Sequence, residues 1–158
     1  MKKTVVSILS ALTGVAICVG VLGNLASKEI NKAQVLSDKH LALFLLMNQW
    51  VRIKQDGKNV SSYFTNNGYK KIAIYGMSYV GETLLDELKN SKVEVAYGID
   101  KNSDGIYADV DIVSSDGDLK DVDAIVVTAI THFDDIKEKL SNKVSCPIIS
   151  LEDILYEI

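Results

Sequence analysis

Two glycines and an aspartate carry the clearest chemical signal in this sequence. Gly76 and Gly81 lie in a turn after an apolar run, and Asp100 follows at close to the spacing of about 20 residues that separates a glycine turn from a ribose-binding acid. Glycine lets the backbone approach a pyrophosphate, and a carboxylate at the next strand end accepts bonds from ribose hydroxyls. The pattern is typical of a mononucleotide-binding βαβ unit and predicts a binding crevice.

The residues between the two glycines make this pattern incomplete. Ser78 stands where the fingerprint has a second glycine, and Tyr79 follows it. The Cβ of Ser78 would push a pyrophosphate away, but its hydroxyl could donate to a phosphate oxygen or only cap the next helix. Asp100 also has a second interpretation, as a turn former at a strand end. As a ribose ligand, its charge would disfavour a 2′-phosphate and so favour NAD over NADP.

Thr128 and His132 are the other candidates for this crevice. Thr128 ends the predicted strand Asp123–Thr128, the fourth of the chain, and His132 follows it closely. Carboxyl ends of neighbouring parallel strands meet at one edge, so His132 would lie at the crevice mouth. Its alternative is a first-turn histidine without a catalytic duty. No nucleophile with a base and no paired carboxylates are recognisable, so we predict no catalytic residues.

A calcium-loop pattern overlaps the same acid, running from Asp100 through Asp104 to Asp111. Such loops are flanked by helices, whereas strands are predicted on both sides here. A polar turn explains the pattern more simply, and the two histidines and two cysteines lack zinc-ligand spacing. We therefore predict no metal.

Short β-branched runs alternate with helix-period segments from Tyr69 onward, which indicates the α/β class. The predicted strands are Ile72–Tyr75, Val93–Ile99, Asp111–Val113, Asp123–Thr128 and Pro147–Ile149. Right-handed crossovers would place them in the order 3-2-1-4-5. We predict a single small Rossmann-like parallel sheet over residues 69–158, with Thr131 and Ser150 capping the helices that follow the last two strands.

The N-terminal residues predict a membrane anchor, because no charged residue lies between Lys3 and Ser27. A helix of about 20 apolar residues spans a bilayer. A cleaved signal peptide is the alternative, although its apolar region is usually only about 7–15 residues long. We expect a transmembrane helix within residues 1–27 and single-pass membrane localisation, with the rest of the chain in the cytoplasm.

Residues 28–68 are predicted to form a connector and an apolar helical segment. Ser37 would cap a helix whose apolar positions, over residues 41–53, form more than one stripe. This helix would cover the sheet, form a dimer seam or lie on a membrane surface. Asn59 would cap a further short helix. The net charge of -4, without a basic patch, excludes nucleic acid as a partner.

The stretch Lys70–Gly76, together with Gly81 and the strand end Tyr97–Asp100, resembles the Rossmann-like modules of bacterial surface-polysaccharide loci. Similar modules precede the acyltransferase part of sugar acetyltransferases and follow some sugar methyltransferases. The resemblance covers residues 69–158 and implies NAD or a nucleotide-sugar as ligand and polysaccharide-synthesis enzymes as partners.

Two functional hypotheses follow. The first is a membrane-anchored, Rossmann-like nucleotide- or NAD-binding accessory module linked to cell-surface polysaccharide biosynthesis. The alternative is a ligand-free interaction scaffold that forms homo-oligomers through the helix at residues 41–53. A small oxidoreductase, a third class, would need a substrate domain for which we find no sequence signal.

Overall fold

The computed structural model describes the backbone of residues 2–106 and 108–158, and the side chains of residues 27–103, 105–106 and 108–158. The chain divides into two compact units, residues 1–41 and 42–158. Helix α1 (Lys2–Gln55) supplies the first unit and continues into the second. All other elements belong to the second unit.

The second unit alternates helices and strands, as the sequence predicts. Its further helices are α2 (Val60–Asn66), α3 (Tyr79–Leu88), α4 (Phe133–Ser141) and α5 (Leu151–Glu157). Its strands are β1 (Lys71–Tyr75), β2 (Glu94–Asp100), β3 (Ile112–Ser114), β4 (Ala124–Val127) and β5 (Ile148–Ser150). Two 3₁₀ turns lie at Ser103–Gly105 and Ile130–His132.

The five strands form one parallel sheet in the order β3-β2-β1-β4-β5, which confirms the predicted order. Tyr75 at the end of β1 pairs with Ile99 on one side and Val127 on the other. The carboxyl ends of β1, β2 and β4 therefore meet at one edge. Neither the β2–β3 connection, where its backbone is described, nor the β3–β4 connection contains an α-helix.

The sheet is covered on both faces, and alternating strand residues divide between two cores. Ile72 and Ile74 of β1 pack with α3, α5 and the 42–55 part of α1. Ala73 and Tyr75 of the same strand pack on the other face, where Leu140 of α4 is buried. Burial on both faces explains why the central strands are almost continuously apolar.

Glu87 of α3 joins three helices on the first face. Its Oε2 accepts a hydrogen bond of 2.6 Å from Trp50 Nε1, and its Oε1 accepts one of 3.0 Å from the backbone N–H of Val60. Lys54 forms an ion pair with the same carboxylate at 2.6 Å. Leu46 and Trp50 are buried in this core, so residues 42–55 do cover the sheet.

The prediction of a transmembrane helix is not supported. In the part of the chain with described side chains, no helix is long and apolar enough to cross a membrane. Between residues 28 and 39, α1 carries five charged side chains: Lys28, Glu29, Lys32, Asp38 and Lys39. The predicted span itself, residues 4–26, lies outside the described side chains. On this finding for the described residues, the predictions of a membrane anchor and of single-pass membrane localisation are corrected. The membrane as a partner stays a prediction.

The predicted helix boundaries are partly wrong. Ser37 lies inside α1 and caps no helix, and Thr131 lies in the 3₁₀ turn before α4, where His132 holds the N-cap position. Asn59 occupies the N-cap position of α2, but its side chain accepts from Lys54 instead of capping. The prediction for Ser150 is confirmed, because its hydroxyl accepts from the Glu152 N–H at 3.2 Å.

Candidate functional site

The glycine turn connects β1 to α3 and depends on both of its glycines. Gly76 has a φ of 96°, a left-handed conformation that favours glycine. A Cβ on Gly81 would lie 2.2 Å from the carbonyl oxygen of Gly76, so only glycine allows this approach of helix to strand. Gly81 thus takes the helix-packing role that the fingerprint gives its last glycine.

Thr128, which directly follows strand β4, contacts this turn and the end of β1. Its hydroxyl lies 2.6 Å from the carbonyl oxygen of Gly76 and 3.1 Å from that of Tyr75. Its backbone N–H donates to the same Tyr75 carbonyl at 2.9 Å. Thr128 is buried and does not line the cavity at the strand ends, so its role is to hold the turn in position.

Asp100 connects the end of β2 to the turn. Its Oδ2 accepts a 3.0 Å hydrogen bond from the backbone N–H of Met77, and its Oδ1 accepts one of 3.0 Å from Asn102 N–H. The turn-forming interpretation of Asp100 is therefore realised. A carboxylate offers about four acceptor positions, so two remain open.

Ser78 and Tyr79 lie on the exposed side of the turn. Ser78 holds the N-cap position of α3 without a capping bond from its side chain. Tyr79 is 88% exposed. Neither residue lines the cavity at the strand ends, whereas Met77 between Gly76 and Ser78 is buried.

A cavity of about 300 Å³ lies at the carboxyl ends of β1, β2 and β4. Three of the seven predicted site residues line it: Gly76, Asp100 and His132. Its other lining residues are Tyr75, Lys101, Asn102, Ala129, Asp135, Ile136 and Lys139. His132 is exposed and holds the N-cap position of α4.

A second cavity, of about 440 Å³, adjoins the first. Tyr75, Lys101 and Lys139 line both. The residues that line only the second cavity are Ser115, Asp116, Leu140 and Lys143. None of the three lysines was predicted as a site residue. Two signals could have found them: Lys101 directly follows the carboxyl end of β2, and Lys139 and Lys143 are four residues apart, on either side of the C-terminal end of α4.

The segment between β3 and β4 forms the wall of the second cavity opposite α4. Lys143 Nζ donates to the carbonyl oxygen of Ser115 at 3.0 Å and so connects the two walls. Tyr97 donates its hydroxyl to the carbonyl oxygen of Lys120 at 2.6 Å. Burial raises the pKa of the Tyr97 hydroxyl, which keeps it protonated as a donor.

Among the residues with described side chains, no group of three or more His, Cys, Asp and Glu is placed to hold a metal ion. The calcium-loop pattern also includes the side chains of Asp104 and Tyr107, which lie outside the described residues.

The described geometry is that of a parallel α/β domain with a cleft where the strand order reverses, between β1 and β4. Ligands of such sheets bind at this point. The chain belongs to the family described as C2185-like, N-terminal, whose profile matches residues 68–147. No curated protein and no solved structure matches the chain.

These comparisons lend no support to the predicted link with polysaccharide biosynthesis. They name no ligand either. The predicted nucleotide binding therefore rests on the geometry of the cleft alone.

Proposed function

We propose that this chain is an accessory module that binds a nucleotide or NAD in the cavity at the carboxyl ends of β1, β2 and β4. One observation carries the proposal: Gly76, Asp100 and His132, which come from three separate segments, line a single cavity at the reversal of strand order. Ligand sites of parallel α/β sheets lie at this position.

The lining of the cavity suits a nucleoside. Ala129 and Ile136 offer apolar surface for a base, while Asp100 has acceptor positions left for ribose hydroxyls. His132 can donate or accept at the open side. Ligand pockets commonly combine apolar walls with a few fixed polar groups.

The direct test is isothermal titration of the full chain with NAD and with UDP-glucose. We expect saturable binding, and a loss of affinity of roughly three- to tenfold in His132→Ala, since a single hydrogen bond contributes about that much. His40→Ala is the matched control, because His40 is the other histidine and lies in the first unit. Absence of binding by both ligands would contradict the proposal.

A second candidate function, self-assembly, is favoured by one observation on α1. Phe44, Leu45 and Val51 are 65%, 49% and 51% exposed, although the opposite side of the helix is buried against the sheet. Exposed apolar side chains grouped on a helix commonly mark an interaction surface.

Sedimentation of the full chain over a range of concentrations tests this function. If the surface mediates assembly, Leu45→Glu lowers the mass-average molecular weight, while Gln55→Glu, an exposed position on the same helix, leaves it unchanged. A monomer at every concentration would contradict self-assembly and leave the binding proposal unaffected.

A further inference from the structure

The second cavity carries an excess of positive charge in a protein whose net charge is -4. Lys101, Lys139 and Lys143 line it against one acid, Asp116. We name this cavity the lysine cleft. Its position between α4 and the segment after β3 follows from the missing helix in the β3–β4 connection, where a covering element would otherwise lie.

The ammonium groups of the lysines in the cleft have N–H donors that make no hydrogen bond to the described residues. The ammonium group of Lys143 has three donors and makes one hydrogen bond, to the carbonyl oxygen of Ser115. Within the residues that the structure describes, the side-chain ammonium groups of Lys101 and Lys139 have no hydrogen-bond or ion-pair partner. Three ammonium groups that line one cavity favour a bound anion, because the anion offsets their mutual repulsion.

Two backbone amides of the glycine turn already have partners inside the protein. The N–H of Gly76 donates to the carbonyl oxygen of Ile99 at 2.8 Å, and the N–H of Met77 donates to Asp100. Neither amide is therefore available to a phosphate, whereas Lys101 after β2 and Lys139 in α4 bring cationic donors to both cavities.

We infer that the lysine cleft is a binding site for a diphosphate group, and that this group is the diphosphate of the nucleotide bound in the adjoining cavity. The second clause rests on the proposed function. Because Tyr75, Lys101 and Lys139 line both cavities, one extended ligand can occupy the two together.

The probe is inorganic pyrophosphate, titrated into the full chain by calorimetry. We expect binding that weakens as salt rises. The double variant Lys101→Gln, Lys139→Gln should lose roughly tenfold or more in affinity, since it removes two charge-assisted contacts. A control double variant, Lys120→Gln with Lys137→Gln, makes the same charge change at exposed positions outside both cavities and should stay within about twofold.

Failure to bind pyrophosphate, or equal loss in the two double variants, would overturn the inference. Adenosine and uridine, which lack phosphate, separate this outcome from failure of the proposed function. A nucleoside that binds the wild type supports the proposed function even where pyrophosphate fails. Pyrophosphate binding without any nucleoside or nucleotide binding would support a diphosphate site and contradict the proposed function. Thermal unfolding of each variant checks that it is folded.

Discussion

The backbone N–H of Met77 donates a 3.0 Å hydrogen bond to the carboxylate of Asp100. This bond joins the turn after β1 to the end of β2, and the second carboxylate oxygen accepts from Asn102 N–H. The carboxylate thus shapes the cavity wall and also lines the cavity. Asp100 therefore has a structural role that does not depend on a ligand.

Asp100→Asn should therefore destabilise the fold. An amide has one acceptor oxygen, so it can replace only one of the two carboxylate oxygens that now accept from N–H groups. We expect a loss of about 1–2 kcal/mol in the free energy of unfolding, measured by urea denaturation. Asp118→Asn, an exposed aspartate with the same chemical change, is the control. Equal stability of the two variants would show that the bonds of Asp100 are unimportant.

Gly81→Ala should be more severe, because the added Cβ would lie 2.2 Å from the carbonyl oxygen of Gly76. Helix α3 must then move away from β1, and overpacking of this kind costs about 1–3 kcal/mol or more. Gly105→Ala is the control, since no atom lies within 4 Å of its added Cβ. Thermal unfolding measures both, and a Gly81 variant as stable as the control would refute the tight packing.

Asp123 should make stability depend on acid pH. The backbone N–H groups of Lys71 and Lys70 donate to its carboxylate and hold its pKa below the ordinary value. A lowered folded-state pKa contributes stability that is present above the unfolded-state pKa and is lost as pH falls through the folded-state value.

Asp123→Asn removes this contribution. Its melting temperature should lie below that of the wild type at pH 7, and the difference should shrink as the pH is lowered toward 3. A difference that stays constant with pH would mean that the carboxylate charge has no part in holding the start of β1.

Glu87→Ala should loosen the contact between α1 and α3. It leaves the buried Trp50 N–H and the Val60 N–H without their acceptor, which costs about 2–4 kcal/mol. Trp50 is the only tryptophan, so its fluorescence reports directly on this contact. Glu82→Ala, an exposed change on the same helix, should cause a much smaller loss and no change in emission. Unchanged emission in both variants would contradict the described role of Glu87.

The sheet was predictable because its signals are local. β-branched runs mark β1, β2 and β4, and Gly76 fixes the turn that follows the first of them. The prediction that a helix begins at Ser37 was wrong. Residues 24–56 contain neither glycine nor proline, so no local signal interrupts the helix before that residue.

The site was less predictable because its parts come from distant segments. Asp100 and His132 were predicted from their places at strand ends. Lys101 and Lys139 come to line the same cavity only when α4 packs on one face of the sheet. The contacts of Glu87 form only when α3 packs on the other face. The hydrogen bond from Met77 to Asp100 likewise depends on the strand register and has no sequence motif.

Backbone amide NMR of the full chain, titrated with NAD and UDP-glucose, tests the central claim most directly. The account predicts saturable chemical-shift changes at Gly76, Asn102 and His132, which line the cavity at the strand ends. Absence of shifts at these amides with both ligands, or shifts confined to Ser78 and Tyr79 on the outer side of the turn, would contradict nucleotide binding in this cavity.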